Sequence, residues 1–495
     1  MSGALKICFA ASEVAPFAKT GGLADVAAAL PLELHRQGHD VRLFMPCYAG
    51  LQTEGQELAP VAGMQNVSLS LGWRNVRFSV RTTPLPGSDL AVYFIDCPEL
   101  YHRDAIYTED DDEHARFAFF SSAVIHTCQL FGFGPDVFHS NDWHAALLPF
   151  QARTLYEWDD LFAHSRHLLT IHNIGYQGMF NDAIVDDLGL GPWAHLLDQD
   201  DLRTGCVNYL KTGLIYAHAI STVSPTYARE IQTESYGMGL HPLLRARRDR
   251  LVGILNGVDY DVWSPQKDRL IRHYYSAKRL AGKRKNKLHL LRELGLPEDA
   301  ERPLFGMVTR LTAQKGLDLC TGALPRLLSD SNAMLVVLGS GEARYEEFFT
   351  RLQQSHPGRC LFYRGYNNEL AHWIEAGSDF FIMPSRYEPS GLNQMFSLKY
   401  GTLPVVRRTG GLADSVQQYD PGDGTGNGFV FEHYTEAGLV WALGRALALY
   451  ARPDRLDRAR RNAMAVDHSW TRRAAEYVNL YRRLVAEAPR TGARG

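Results

Sequence analysis

Phe380-Phe381-Ile382-Met383-Pro384-Ser385-Arg386-Tyr387-Glu388-Pro389-Ser390-Gly391-Leu392 joins an apolar run, closed by Pro384, to a charged turn bent by Pro389 and Gly391. Asn393 to Tyr400 then reads as a helix. A buried strand that delivers a loop and a helix start is the ligand-facing corner of a parallel α/β sheet. N–H groups left open at such a start suit an anion. Glu388 stands in the turn itself, where a merely solvated carboxylate needs no proline or glycine to shape the backbone. Downstream, Tyr400 to Val406 reads as a second short strand and runs into Arg408-Thr409-Gly410-Gly411-Leu412-Ala413-Asp414. Nearly the same string, Lys19-Thr20-Gly21-Gly22-Leu23-Ala24-Asp25, occurs near the N-terminus. Two such strings, each led by a cation and each opening a helix, predict two half-molecules facing one ligand.

The rest of the chain supports this division. Leu5 to Ala11 reads as a buried strand, followed by a loop carrying Glu13 and Lys19 and by a helix from Gly22 to Gln37. Val41 to Pro46, Pro135 to Ser140 and His167 to Ile171 continue as strands, with Phe117 to Phe131 helical between them. Val67 to Thr82 and Ala91 to Asp96 alternate as hairpins or additional sheet do. The run 261–282 is polar and aromatic without clean periodicity. A new series then starts at Leu304 to Thr309 and continues at Ala333 to Gly339, Cys360 to Tyr363 and Phe380. The fold class is therefore α/β, with two Rossmann-like, doubly wound parallel-sheet domains facing a central cleft. The expected domains are 1–260 and 261–470. A last helix, 471–488, lies beyond the second series, and the tail from Pro489 is expected to be disordered.

Composition narrows the function. The chain has 495 residues, enough for two to four ordinary domains. Its formal net charge of −3 gives no reason to expect nucleic acid or a membrane surface as partner. Seven cysteines, widely spaced and without a C-x-x-C pair, argue against a zinc site or disulfide framework and for a reducing compartment. No apolar run approaches a membrane span and the N-terminus lacks a signal segment, so a cytoplasmic location is expected. The arginines between Arg445 and Arg473 are interleaved with Asp and Leu and read as solvated helix faces.

Chemistry is carried by loops at the carboxyl ends of the strands. Arg310 follows the first strand of the second series, with Lys315 and Gly316 before a helix. Arg forks to two phosphate oxygens and Lys adds a point charge, so the pair makes a diphosphate clamp. Tyr366, after the strand at Cys360, can stack on a base. Asp142 and His172 each close a strand in the first domain. Asp110-Asp111-Asp112 has the D-x-D spacing of metal-dependent sugar transferases, but no strand leads into it and a solvated loop is the better reading. Gly339-Ser340-Gly341 lacks the third glycine of a dinucleotide fingerprint, which disfavours a nicotinamide enzyme.

Taken together, Lys19 to Val26, His172-Asn173-Ile174-Gly175-Tyr176-Gln177-Gly178, Asn256-Gly257-Val258-Asp259, Arg310 to Gly316 and the block Glu388 to Gly411 resemble one family over nearly the whole chain. It is the family of bacterial glycogen synthases and plant starch synthases, retaining glycosyltransferases of the two-Rossmann, GT-B type. The resemblance implies glucose transfer from ADP-glucose to the non-reducing 4-OH of an α-1,4-glucan such as glycogen, with retention and without metal or other cofactor. It further implies that the last helix crosses back onto the first domain. Arg310 and Lys315 would neutralise the diphosphate, with Lys19 and the Gly21–Gly22 backbone approaching from the other domain through hinge motion near residue 260. Thr409, Gly410 and Gly411 would add backbone donors, and Tyr366 would pack on adenine. Glu388 would hold glucosyl hydroxyls, beside the Ser390-Gly391-Leu392 turn of the donor site. His172 would orient sugar and acceptor, with Asp142 and Asn256 lining that side. Two departures stand out: Ser390 where many members have Cys, and Asp112-Glu113-His114-Ala115-Arg116-Phe117 where many have Asp-Asn before the Arg-Phe. The rivals are a UDP-glucose-dependent or other GT-B glucosyltransferase and a non-catalytic glucan-binding relative. Loss of Lys19, Arg310, Lys315 or Glu388 would favour the latter, and all four are present. Oligomeric state is not encoded in any of these signals.

Overall fold

A computed structural model describes residues 3–53 and 55–487. The chain divides into two compact units, 1–223 with 228–254 and 470–495, and 224–227 with 255–469. The tail from Pro489 and the end of the helix expected to reach 488 lie outside the described residues.

In the first unit β1 (Lys6–Ala10), β2 (Asp40–Pro46), β3 (Ala59–Pro60), β4 (Val67–Leu71), β5 (Arg74–Pro84), β6 (Ala91–Asp96), β7 (Val137–Asn141), β8 (Arg166–Ile171), β11 (Ala219–Thr222) and β12 (Leu251–Gly253) share a sheet. Its order is β12-β11-β8-β7-β1-β2-β6-β5-β3, with β4 beside β5; β9 (Met179–Asn181) and β10 (Cys206–Asn208) pair separately. β1 is parallel to both β2 and β7, with Ile7 level with Val41 and Val137. Its residues Ile7 to Ala10 are buried, as a strand covered on both faces requires. The helix Gly22–Arg36 covers one face with Leu23, Val26, Ala27, Leu30 and Leu34. The alternating segment near residue 70 is the β4–β5 hairpin, joined to the sheet through the antiparallel β5–β6 pair.

In the second unit β13 (Leu304–Val308), β14 (Met334–Gly339), β15 (Cys360–Arg364), β16 (Phe380–Met383), β17 (Leu403–Arg407) and β18 (Phe429–Phe431) form a parallel sheet of order β15-β14-β13-β16-β17-β18. This is the 3-2-1-4-5-6 order of a doubly wound sheet. Alternation along β16 feeds both layers. Phe380 and Ile382 pack with Leu324 and Leu443 on one face, and Phe381 packs with Leu290 and Ile374 on the other.

The aperiodic run 261–282 is packed down: Trp263 stacks between His372 at 3.7 Å and Phe396 at 4.0 Å, and Asp268 is buried against His372 and Tyr400. One local expectation changes. The arginines after residue 445 are not all solvated. Arg460 turns inward onto buried Asp379 at 2.5 Å, and Arg473 is buried beside Glu476. Aliphatic stems let Arg bury length while the guanidinium finds a partner, which charge interleaving along the sequence does not reveal. Leu255 and Val258 pack with Met395 and Phe396, so the chain enters the second unit before the expected crossing near residue 260.

Candidate active site

In each sheet the parallel strand order reverses beside the first strand: between β1 and β7 in the first unit, between β13 and β16 in the second. Loops leaving the carboxyl ends of such neighbours diverge and open a crevice, which is where ligands bind in these folds. The sequence-predicted residues cluster at these two points.

In the second unit three loops close on one another. Lys315, in the loop after β13, donates to both oxygens of Glu388, in the loop after β16, at 3.0 and 2.7 Å. Ser385 Oγ adds a third hydrogen bond to Glu388 at 2.9 Å. Glu388 is 5% exposed, so its charge is compensated by these partners and not by water. Glycines permit the approach. A Cβ on Gly316 would meet the Pro384 carbonyl oxygen at 2.0 Å, and one on Gly410 or Gly411 would meet the carbonyl oxygen of Glu388 or Ser390 at 1.9 Å. The Gly411 N–H donates to the carbonyls of Glu388 and Pro389 at 3.0 and 3.1 Å. Its role here is to lock the loop after β17 onto the Glu388 loop, where the sequence suggested a free phosphate donor. Thr409 is buried at the start of the helix Gly410–Ser415. Ser390 is buried, its hydroxyl 3.4 Å from the Gly391 carbonyl, and Leu392 precedes the helix Asn393–Tyr400. Arg310 is exposed after β13, with no side-chain partner among the described residues. Tyr366 is 71% exposed after β15, its hydroxyl donating to Asn368 at 3.0 Å. Asn256 belongs to this unit and is buried; its Oδ1 has no partner among the described residues.

In the first unit Asp142 and His172 come together. Asp142 follows β7 with φ 54°, a conformation that costs a non-glycine residue of order 1–3 kcal/mol and is held only where the surroundings impose it. Its Oδ1 accepts the His172 N–H at 2.7 Å and the Asn173 N–H at 3.4 Å. His172 Nε2 meets Asn141 Oδ1 at 2.9 Å. Burial pushes the Asp142 carboxyl up to about 7, its two N–H partners offsetting part of the effect and the Glu13 charge adding to it. Burial likewise holds His172 down at about 3, so the imidazole is neutral.

The Lys19 string folds around a residue to which the sequence assigned no role. Buried Glu13 accepts from the Thr20 N–H at 2.5 Å, the Thr20 hydroxyl at 2.6 Å and the Gly21 N–H at 3.1 Å. Tyr107 donates to the same carboxylate at 2.6 Å. The Gly21 N–H is thus already taken by a carboxylate. Gly22 opens its helix with space around it. Lys19 pairs with Asp25 at 2.6 Å and stays half exposed. A second residue without sequence signal is Arg407, at the end of β17, which is buried and donates from Nε to the Ser385 carbonyl at 2.9 Å and also to the Arg386 carbonyl. It fixes the Glu388 loop from below. Its only trace in the sequence is a cation inside an apolar strand.

Among the described residues no three His, Cys, Asp or Glu side chains gather as a metal site. The acidic loop at Asp110 is tied to Arg103, at 3.1 Å from Asp110 and 2.6 Å from Asp112. No described helix is long and apolar enough to cross a membrane.

Comparison with known proteins gives the same reading. The family described as starch synthase catalytic domain matches residues 6–246, and glycosyl transferases group 1 matches residues 295–463. The glycogen synthase of Koribacter versatilis is 44% identical over 481 residues, covering 96% of this chain and 98% of the relative. That of Thermotoga maritima is 42% identical over 492 residues, covering 98% and 100%. The catalytic domain of starch synthase IV from Arabidopsis thaliana, solved bound to ADP and acarbose, superposes with a TM-score of 0.90 at 34% identity over 98% of this chain and 100% of that one. Sucrose-phosphate synthase from Thermosynechococcus elongatus, at 17% identity and a TM-score of 0.61, shares the fold.

Proposed function

Because the chain belongs to the glycogen and starch synthase family of GT-B glycosyltransferases, we propose that it elongates glycogen in the cytoplasm by moving glucose from ADP-glucose to the 4-OH at the non-reducing end of an α-1,4-glucan. A nucleotide sugar and a glucan are its substrate classes; the adenine base is the finer reading. The observation that carries it is the Lys315–Glu388 pair, held by three interlocking loops at the strand-order reversal of the second unit.

Lys315 and Arg310 neutralise the diphosphate as the bond to the glucosyl carbon breaks, which is the main electrostatic demand of the reaction. Lys19 adds a further cation from the first unit. Glu388, fixed by Lys315 and Ser385, accepts from glucosyl hydroxyls, and Ser390 to Leu392 with Thr409 to Gly411 shape the wall around it. Tyr366 stacks on the base. In the first unit neutral His172 orients sugar and acceptor through its ring and backbone, and Asp142 holds the His172 loop; in the second, Asn256 offers a carbonyl oxygen without a partner among the described residues on the sugar side. Retention follows from attack on the face the diphosphate leaves. The acceptor oxygen bonds to the anomeric carbon and passes its proton to the departing phosphate oxygen, so no carboxylate forms a covalent intermediate.

The deciding measurement is glucosyl incorporation into glycogen from ADP-glucose and from UDP-glucose at sub-saturating donor. A higher rate from ADP-glucose is expected. Equal or faster incorporation from UDP-glucose would overturn the donor assignment, and no incorporation from either would favour a non-catalytic glucan-binding relative.

A further inference from the structure

A second concentration of cations lies in the first unit at the other ends of the strands. Arg166 opens β8 and His218 immediately precedes β11, so both mark amino ends, whereas Asp142 and His172 follow carboxyl ends. Arg153, Arg166, His218, Arg247 and Arg250 line an open cavity of about 360 Å³, with Glu487 as the one carboxylate among its described lining residues.

Part of this charge is accounted for. Arg153 donates to the Tyr216 carbonyl at 2.5 Å and Arg247 to the Ala217 carbonyl at 2.7 Å. These are open carbonyls at the end of the helix Tyr209–Tyr216, where cations are favoured. Arg250 pairs with Glu487. Arg166 and His218 are left in conflict. The His167 N–H donates to His218 Nδ1 at 3.0 Å, so Nδ1 presents its lone pair and the ring proton is on Nε2. Yet Arg166 Nη1, which can only donate, lies 3.1 Å from that Nε2. Two donors face each other, and Arg166 Nε is buried with no partner among the described residues. Protonating His218 leaves Nε2 a donor and relieves nothing. Burial first, then the charges of Arg153, Arg166, Arg247 and Arg250, hold the ring neutral down to about 4.

An acceptor bearing negative charge satisfies both donors at once. Four guanidinium groups against one carboxylate call for more than a single charge, and a tetrahedral oxyanion offers several acceptor oxygens to forked donors. We infer that this cavity is a second anion site, built for a phosphate group, free or as a monoester, gripped by Arg166 and His218 Nε2–H. Arg153 and Arg250 supply the balancing charge. Its ligand would join β8, the segment before β12 and the helix Trp470–Ala486, which contributes Leu484 to the same cavity.

The test is isothermal titration of inorganic phosphate into the full chain carrying both Arg310→Ala and Lys315→Ala, which removes the two phosphate cations of the donor loops, at ionic strength held constant with chloride. One binding event is expected, weakened about tenfold or more by adding Arg166→Gln and, on the exposed side, by adding Arg250→Gln instead. Phosphate should also protect Arg166 of the unaltered chain from phenylglyoxal, read peptide by peptide. Glycerol 2-phosphate in place of phosphate separates the sources: equal or tighter binding assigns a monoester, binding of inorganic phosphate alone assigns the free ion. Absence of binding by both, or binding undiminished in the Arg250→Gln chain and in a folded Arg166→Gln chain, overturns the site.

Discussion

Lys315 and Arg310 were read from the sequence as one clamp on loops, but their surroundings separate what their loss does. Lys315 is half-buried and paired with buried Glu388, whereas Arg310 is exposed. Either change to Ala should lower kcat/KM by about two to four powers of ten, the scale on which a charge-stabilising group is lost. Lys315→Ala should also lower stability by about 1–3 kcal/mol, because Glu388 keeps only the Ser385 hydroxyl. Arg310→Ala should leave stability within about 0.5 kcal/mol. Steady-state kinetics with urea unfolding separates the two; near-normal turnover in either variant removes that residue from the clamp. Asp142 carries a pH signature. Between 3.8 and about 7 the folded chain keeps a proton that the unfolded chain has released, so this carboxyl costs stability as pH rises through that window, in full above it. His172 acts in reverse: its neutral form contributes fully above 6.5, and that contribution is lost as pH falls towards 3. Asp142→Asn keeps an acceptor for the His172 and Asn173 N–H groups without a charge to bury. Its stability relative to the unaltered chain should therefore rise by a few kcal/mol, as an order of magnitude, between about pH 5 and about pH 8. A pH-independent difference would refute the raised carboxyl. Strand-end position made these residues legible. Glu13 was not, because a carboxylate that folds back on the Thr20 and Gly21 N–H groups looks in sequence like any loop acid.

At the scale of elements, the parallel strands were readable because strands buried on both faces are continuous apolar runs, and β16 is the clearest. What supports β16 was not readable, because its partners are polar and distant in sequence. Asp379, the residue before it, accepts from Lys287 at 2.7 Å, from Arg460 at 2.5 Å and from the Leu304 N–H at 2.9 Å. Burial would raise this carboxyl, but the Lys287 and Arg460 charges override it and hold the group below the usual carboxylate range. One carboxylate thus ties the amino end of β13 to β16 and to two helices. Asp379→Ala leaves buried Lys287 without a carboxylate partner and Arg460 with Asp457 alone, and should destabilise the second unit by about 3–5 kcal/mol. Asp379→Asn should cost less, since it retains an acceptor for Leu304. Denaturant midpoints of the two variants decide this, and equal, small losses would mean that Lys287 and Arg460 find other partners. The glycines of the Glu388 region were legible as a cluster, but not their purpose. That Gly410 and Gly411 are needed because two carbonyls pass within reach of their Cα atoms is a property of three loops from different strands, and local sequence holds no record of it.

At the scale of the molecule, the chain visits the second unit at 224–227, returns, leaves again at 255 and comes back for the last helix. A single cut therefore cannot yield a complete first unit. Trp470–Ala486 buries Trp470, Tyr477, Val478, Leu480, Tyr481 and Leu484 there. Tyr481 also hydrogen-bonds His139 of β7 at 2.7 Å, and His139 continues to Thr170 of β8 at 2.6 Å. Each large apolar side chain is worth about 1.5–3 kcal/mol when buried, and six of them reach the 5–15 kcal/mol that is the whole stability of a typical domain. Losing the helix also takes the Tyr481 hydroxyl from His139 Nδ1. A chain ending at Ser469 should accordingly lose the cooperative unfolding transition of the first unit, while the second unit, whose sheet and both covering layers lie within 255–469, keeps its own. Two resolved steps in calorimetry of the full chain, reduced to one in the truncated chain, are the expected outcome. Adding a synthetic peptide of residues 470–487 in trans should restore the missing step, because the helix supplies side chains and not chain connectivity. An unchanged first transition after truncation would show that the strands of the first unit hold without this helix, and the assignment of its stability to Trp470–Ala486 would fall.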